Sequence, residues 1–401
     1  MSLLSLLLSG VEAAQKTNSD KIPDRIILNL TTQPSTSIAV TWRTIVETIN
    51  PSAQISETSE WIEFTSSAKH FQANKERLVL DNGKSVYQYS VIFNGLQPNT
   101  KYCYRVGGDS IWSEWNQFGT AENKTAPFAF LYFGDAQHGL KTFYPRIARE
   151  ANRKHPEAKF WLFSGDLIDR PQYDSLWYEF FYASNFIHSY VPSVMVPGNH
   201  EYGKEDSSGE KISSEMLIDS WKPHFTLPEN GIMGLEETSY SFVYQGVRFV
   251  MLNGNEKLQE QAKWLDSVLS KKSEQWVIAT VHQPLYSMSK TRDQRKTRDA
   301  FLEVFDKYSI DLVLQGHDHV YARSATLVNG AKVNATAKGT VYVTSNSGSD
   351  SYRINPLYSN LMDKFGTDVQ LYQVVSINGR KLSFSAYTAT GAVYDTFELI
   401  K

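Results

Sequence analysis

Cysteine is nearly absent: Cys103 is the only one in 401 residues. That excludes an intrachain disulfide and any thiolate-built zinc site, so a metal would have to use imidazole, carboxylate and amide ligands. Cys103 itself reads as a small buried hydrophobe. A surplus of either charge is lacking as well. With 40 Lys plus Arg against 43 Asp plus Glu, the net charge of -3 gives no general attraction for nucleic acid or an anionic membrane. Long apolar runs are missing, and the N-terminal stretch from Leu3 to Leu8 falls far short of the roughly 20 residues of a membrane span. With Val11 and Ala13 at small-residue cleavage positions, it reads as a clipped secretory signal without its basic start. Residues 1–21 are therefore expected to be signal-like or disordered, the protein secreted or periplasmic, and stable membrane insertion and nucleic-acid partners absent. Three glycosylation-type triplets begin at Asn29, Asn123 and Asn334.

Aromatic residues are plentiful at 13%, which suits ordered, β-rich packing and argues against disorder. The length fits two domains, one near about 100 residues and one nearer about 270. Over residues 22–121 short alternating apolar runs are separated by turn residues. Ile38–Trp42, Trp61–Phe64, Tyr87–Phe93 and Tyr102–Val106 read as strands, with a turn over Gly95–Thr100, and this spacing predicts a β-sandwich. Gly119 to Pro127 is a polar connector. From residue 127 to 401 the pattern changes to apolar strands alternating with amphipathic helices. Strands are predicted at Phe128–Phe133, Phe160–Phe163, Ser193–Val196, Trp276–Val281, Leu312–Leu314 and Val341–Thr344. Helices are predicted at Thr142–His155, Tyr173–His188, Leu258–Leu269 and Asp299–Tyr308. Hairpin strands at Tyr240–Gln245 and Val247–Leu252 lie among them, and antiparallel strands from Leu371 to Leu399 complete the domain.

The polar clusters that follow five of these strands are alike. They read Gly134-Asp135-Ala-Gln137-His138, Gly165-Asp166-Leu-Ile-Asp169-Arg170, Gly198-Asn199-His200-Glu201, His282-Gln283 and Gly316-His317-Asp-His319. Sites in open α/β sheets form beyond the carboxyl ends of the strands, so these separated clusters are expected to converge at one edge. Glycine before four of them lets the backbone turn sharply there.

The five ordered motifs resemble the calcineurin-like metallophosphoesterases. Together with Ile38–Trp42 and Leu96-Gln-Pro-Asn-Thr-Lys-Tyr102, they resemble most the purple acid phosphatase branch. The resemblance implies an N-terminal all-β fibronectin III-like sandwich followed by a C-terminal α/β four-layer (αββα) metallophosphoesterase domain. It implies two divalent or trivalent ions (Fe, Zn or Mn), with Asp166 between them, Asp135 and His319 completing one and Asn199, His282 and His317 the other. Such a pair activates a water for in-line attack on a phosphate ester, and a shared carboxylate offsets the repulsion between the cations.

Two departures from the purple branch stand out. Asp169 occupies the place of a tyrosine three residues after the bridging Asp, and Asp135-Ala-Gln137 replaces Asp-x-Gly. Without a phenolate, neither the colour nor a preference for ferric iron is expected. Gln137 is a candidate further ligand through its amide oxygen. By the same resemblance Asp169 and His200 form an acid–base pair in which His200 protonates the departing alkoxide, while Arg170, His138 and Arg292 are candidate substrate-binding residues. Arg298 is a second candidate on the Arg292 segment, and Tyr321 and Arg323 are expected to orient the last motif from behind. The expected activity is hydrolysis of small-molecule phosphomonoesters. The alternatives are a phosphodiesterase or nucleotide pyrophosphatase on the same core, and a non-catalytic secreted binding protein that would have lost a ligand.

Overall fold

The computed structural model describes residues 19–401 apart from 291, 335 and 336, so the apolar run at Leu3–Leu8 lies outside the described residues. The first part of the chain is two facing antiparallel sheets. One orders strands Asp24–Leu30, Ser37–Thr44, Ser85–Asn94 and Asn74–Val79; the other orders Lys69–Gln72, Ser52–Glu57 and Lys101–Gly108, with Ile111–Trp112 and Asn116–Gly119 on its edge. Ile38, Val40 and Trp42 point into the sandwich core beside Tyr89 and Tyr104. Strand Ser37–Thr44 is buried on both faces because its alternate residues meet the second part of the chain. Thr41 Oγ1 lies 2.9 Å from Thr226 Oγ1, and Arg43 Nη1 donates to Asp174 Oδ2 at 3.2 Å.

The segment expected as a strand at Trp61–Phe64 instead forms the start of a 3₁₀ helix at Ile62–Ser67, with Trp61 68% and Ile62 63% exposed. Its hydroxyls explain the difference. Thr65 and Ser66 bond back to the carbonyls of Ile62 and Glu63 at 2.7 and 2.8 Å, satisfying locally what a ladder would have satisfied. The pairing strand is Ser52–Glu57, whose polar alternation gave it a weak signal.

The second part is four layers. Strands Phe128–Phe133, Trp161–Phe163 and Ser193–Met195 run parallel, with antiparallel Leu371–Asn378, Lys381–Thr388 and Val393–Ile400 beside them. Facing them is a seven-stranded sheet whose parallel centre is Val247–Leu252, Trp276–Val281, Leu312–Gln315 and Val341–Thr344. Period-two alternation divides its burial. Phe249, Met251, Ile278, Leu312 and Leu314 pack inward against the first sheet, while Val250, Leu252, Val277, Ala279 and Val313 pack outward under helices Leu258–Leu269 and Arg295–Tyr308. Helices Tyr144–Lys154 and Asp174–Ser184 cover the first sheet.

The two parts share one sheet. Strand Asp24–Leu30 pairs parallel with Ser193–Met195 at Asn29↔Ser193, making a ten-stranded sheet that passes from sandwich to α/β domain. Asn29 is fully buried there; its Nδ2 donates to Ser193 O at 3.0 Å and its Oδ1 accepts from Thr226 N at 3.1 Å. Its glycosylation-type triplet therefore offers no acceptor, whereas Asn123 is exposed.

A buried ion cluster locks the same junction. Asp174 receives both terminal nitrogens of Arg25, at 2.7 and 2.8 Å, and Arg43 at 3.2 Å. His224 stacks on Trp177 at 4.4 Å and donates from Nδ1 to Ser220 O, which leaves Nε2 to accept from Arg25 at 3.1 Å. Burial holds this imidazole neutral, with a pKa lowered to about 3. Burial opposes the charge on Asp174 as well, but the Arg25 and then Arg43 guanidiniums outweigh it and hold the carboxylate below its ordinary range.

Asp174→Ala strands a buried guanidinium and is expected to cost about 3–5 kcal/mol in urea unfolding. Because the folded pKa of Asp174 is depressed, its contribution is fully present above the unfolded carboxylate value and is lost as pH falls through the folded one. Unfolding curves should therefore show wild type and variant converging only below about pH 4.

Candidate metal centre

All five clusters meet at the carboxyl ends of the parallel strands, between the two sheets. Asp166, His282 and His317 offer ligand atoms within 4.8 Å of one another, and so do Asp135, Asp166 and His319. Asp166 belongs to both groups. Its Oδ2 lies 3.0 Å from His282 Nε2, which in turn lies 3.2 Å from Asn199 Oδ1. On the other side Asp135 Oδ1 lies 3.5 Å from His319 Nε2, and Gln137 Nε2 lies 2.9 Å from the same nitrogen.

Backbone conformations rare for side-chain-bearing residues aim these groups. Asp135, Asp166, His317 and His319 have φ of 22°, 50°, 72° and 49°, each left-handed and each costing on the order of 1–3 kcal/mol. Two glycines permit the closest approach. A Cβ on Gly198 would press into the Asp166 carboxylate, and one on Gly165, at φ +96°, would lie 2.9 Å from His282 Nδ1.

Hydrogen bonds fix the imidazoles. His282 Nδ1 donates to Ser164 O at 2.8 Å, so Nε2 is left to face Asp166. His319 stacks on Tyr352 at 4.4 Å and 9°, and the Arg292 guanidinium lies 4.9 Å from that Tyr ring. Gln294 Nε2 sits 2.8 Å from His317 Nε2. Asp318, buried between the two histidines in sequence, turns away and accepts from Ser287 Oγ, Met288 N and Ser289 N at 2.9, 2.7 and 3.1 Å. It thereby ties this loop to the one after His282.

The donor set suits cations. Burial raises Asp135 well above the carboxylate range and lowers His317 and His319, the latter to about 3, so both imidazoles keep their lone pairs. Burial disfavours a charged His282 too, yet Asp166 and then Asp135 raise it to about 9. Gln137 Oε1, His317 Nδ1 and His319 Nδ1 are buried without a hydrogen-bond partner. An orphaned amide oxygen and two orphaned ring nitrogens beside two buried carboxylates match what a pair of metal ions requires.

At the mouth, His200 Nδ1 lies 2.7 Å from the Asp169 main-chain oxygen and 3.3 Å from its carboxylate, so the shorter bond goes to the backbone. The His138 and His200 rings are 6.2 Å apart, and His138 is 6.0 Å from His319. Arg170 is largely exposed, with Nε 3.5 Å from Asp169 Oδ2. Arg292 has one donor on the His317 carbonyl, while Arg298 is turned to Asp293 and Leu285 O at 2.7 and 2.9 Å. Tyr321 and Arg323 reach Asp395 at 2.7 and 2.6 Å, and so tie their strand to the last one of the neighbouring sheet.

Sequence reasoning missed the part played by Glu201, although the residue stands in the Gly-Asn-His-Glu cluster. Fully buried, its carboxylate accepts from Asp166 N at 2.9 Å, Leu167 N at 2.7 Å and Gly198 N at 2.7 Å, clamping the loop of Asp166 to that of Asn199. Burial and the nearby Asp166 push it up to about 7. In Glu201→Gln an NH₂ group must oppose one of these N–H donors, so a stability loss of about 1–3 kcal/mol is expected together with metal content below wild type. Denaturant unfolding and elemental analysis check both; a fully loaded variant of unchanged stability would refute the clamp.

Comparison with known proteins agrees with this fold. The family described as purple acid phosphatase, N-terminal domain, matches residues 23–120, and the calcineurin-like phosphoesterase family matches residues 128–321. Probable purple acid phosphatase 20 of Arabidopsis thaliana is 26% identical over 311 residues, covering 75% of this chain and 66% of the relative. The Fe(3+)-Zn(2+) purple acid phosphatase 12 of the same plant is 24% identical over 357 residues, covering 82% and 72%. The chain spans 66% and 56% of the lengths of Arabidopsis purple acid phosphatases 20 and 21. The solved purple acid phosphatase PPD1 from yellow lupin seeds superposes with a TM-score of 0.79 at 18% identity over 95% of this chain and 74% of that one, which shows the shared fold. The chain belongs to the calcineurin-like metallophosphoesterases, in the branch that carries a purple acid phosphatase N-terminal domain.

Proposed function

We propose that the protein is a metal-dependent phosphatase that hydrolyses small-molecule phosphomonoesters at the site within residues 127–401. The observation that carries this reading is the membership of Asp166 in both donor groups. In this reading Asp135, Gln137 and His319 hold one ion with Asp166, and Asn199, His282 and His317 hold the other. When bound, ions of iron, zinc or manganese would supply charge neutralisation for the phosphate and an acidified water as nucleophile. The named relative that carries iron and zinc supports this choice of metals.

The chain's own residues do the rest. The bond from His200 Nδ1–H to the Asp169 main-chain oxygen leaves Nε2 facing outward as the nitrogen that carries a proton to the leaving alkoxide. The Asp169 carboxylate at 3.3 Å stabilises the charged imidazole, and it also anchors Arg170, whose remaining donors are free for a phosphate oxygen. His138 contributes a second imidazole on the substrate side. Arg292 is held on Tyr352 and the His317 carbonyl, beside the last motif.

General acid catalysis is worth about 10²–10⁴-fold, so His200→Ala is expected to slow alkyl phosphates by that order while sparing activated aryl phosphates. Steady-state rates on both ester types, with a bis-aryl phosphodiester alongside and Mn, Zn, Co and Fe supplied in turn, test the reading. Equal slowing of alkyl and aryl esters would remove the proton-donor role, and faster turnover of the diester would overturn the monoester assignment. The iron-loaded enzyme is expected to show no intense visible band, since Asp169 brings a carboxylate where a phenolate would give one; a strong band in its absorption spectrum would contradict this.

A further inference from the structure

Asp169 has two imidazoles to serve. Its Oδ1 lies 3.3 Å from His200 Nδ1 and 3.6 Å from His138 Nε2. A second carboxylate, Asp350, approaches the same His138 nitrogen more closely, with Oδ2 at 3.3 Å. One ring N–H serves one acceptor well, so the nearer carboxylate decides where the His138 proton points. We propose that Asp350 is a positioning residue: it takes the Nε2–H of His138 and thereby leaves the Asp169 carboxylate as the counter-charge of His200, whose Nδ1–H goes to the Asp169 main-chain oxygen. This deepens the phosphatase reading and rests on it.

The position of Asp350 follows from the fold. It lies on the segment after strand Val341–Thr344, a sixth strand end at the site, and that segment is pinned on both sides. Ser347 N and Gly348 N donate to the carbonyls of Gly134 and Asp135 at 2.9 and 2.7 Å, and Tyr352 N donates to His319 O at 3.2 Å. Within it, Asn346 Nδ2 donates to Asp350 O at 2.6 Å, and Ser349 Oγ donates to His138 O at 3.0 Å. Asp350 is thus fixed relative to the loops of Asp135 and His319 by main-chain bonds that do not involve its carboxylate. Its side chain is 47% exposed, so it acts through where it places an acceptor and not through a strong buried ion pair. Without it, His138 has Asp169 as the remaining carboxylate within reach, and His200 must share that group.

A double-mutant cycle tests this, with the metal-loaded full chain and an alkyl phosphate as substrate. Asp350→Ala is expected to lower kcat by about tenfold with His138 present and by less than about twofold in a His138→Ala background, because the competitor is then gone. Asp350→Asn, which keeps an acceptor oxygen, is expected to retain most of the wild-type rate. Imidazole ¹⁵N spectra give a readout independent of turnover. The His138 signals, assigned by their loss in His138→Ala, should report the Nε2–H tautomer in wild type and an altered hydrogen bond in Asp350→Ala. Equal losses with and without His138, unchanged His138 signals, or Asp350→Asn as impaired as Asp350→Ala would each overturn the proposal. If the loaded wild-type chain hydrolyses no phosphate ester, the phosphatase reading itself fails; an active wild type with an additive cycle sinks only the role of Asp350.

Discussion

Two buried carboxylates, Asp135 and Asp166, share a pocket with three buried imidazoles, and the rest of the molecule is arranged around keeping that charge in place. Carboxylates so close in a dry interior repel each other, and burial adds a desolvation penalty for each. One proton on His282 relieves part of that repulsion, and a pair of cations relieves more. A preformed cluster of this kind collapses or swells unless its backbone is held, because each donor lies on a different loop.

Three devices do the holding. Gly165 and Gly198 let main chain approach where a methyl group would collide with Asp166 and His282. The Glu201 carboxylate gathers main-chain N–H groups of two loops into one clamp. Asp318 repeats this between the loops of His317 and His282. The left-handed conformations of Asp135, Asp166, His317 and His319 are tolerable only because these bonds over-determine them. Strain and restraint are two sides of one arrangement: what aims these side chains inward also prevents them from relaxing outward.

The sandwich belongs to the same mechanical unit. Its first strand continues the sheet that carries Asp135, Asp166 and Asn199, and its arginines close on Asp174 of the helix covering that sheet. The second domain therefore receives a stiff flank, with Asn29 and Thr41 replacing solvent along its edge. An exposed edge strand at Ser193–Met195 would have been open to foreign pairing; here strand Asp24–Leu30 covers it.

How much of this could be read in advance follows from which interactions are local. The β-rich first part, the alternating strands and helices of the second, and the convergence of the five clusters were legible because period-two and helical patterns and glycine-led strand ends are written in consecutive residues. Strand Trp276–Val281 and helix Leu258–Leu269 have the bounds their periodicity predicts. The apolar stretch Trp61–Phe64 misled because hydroxyls just beyond it offered the backbone a closer partner than any strand. Other features left no local trace. The parallel pairing of Asn29 with Ser193, the Arg25–Asp174–Arg43 cluster, the Glu201 clamp, and the approach of Asp350 and Tyr352 from a sixth loop all join residues remote in the chain or hidden in polar segments without periodicity. The sequence by itself determined which donors are available and at which strand ends they stand. Only the tertiary structure decided which carboxylate faces which imidazole, because that choice depends on distances of a few tenths of an ångström between loops that meet only when two sheets have packed.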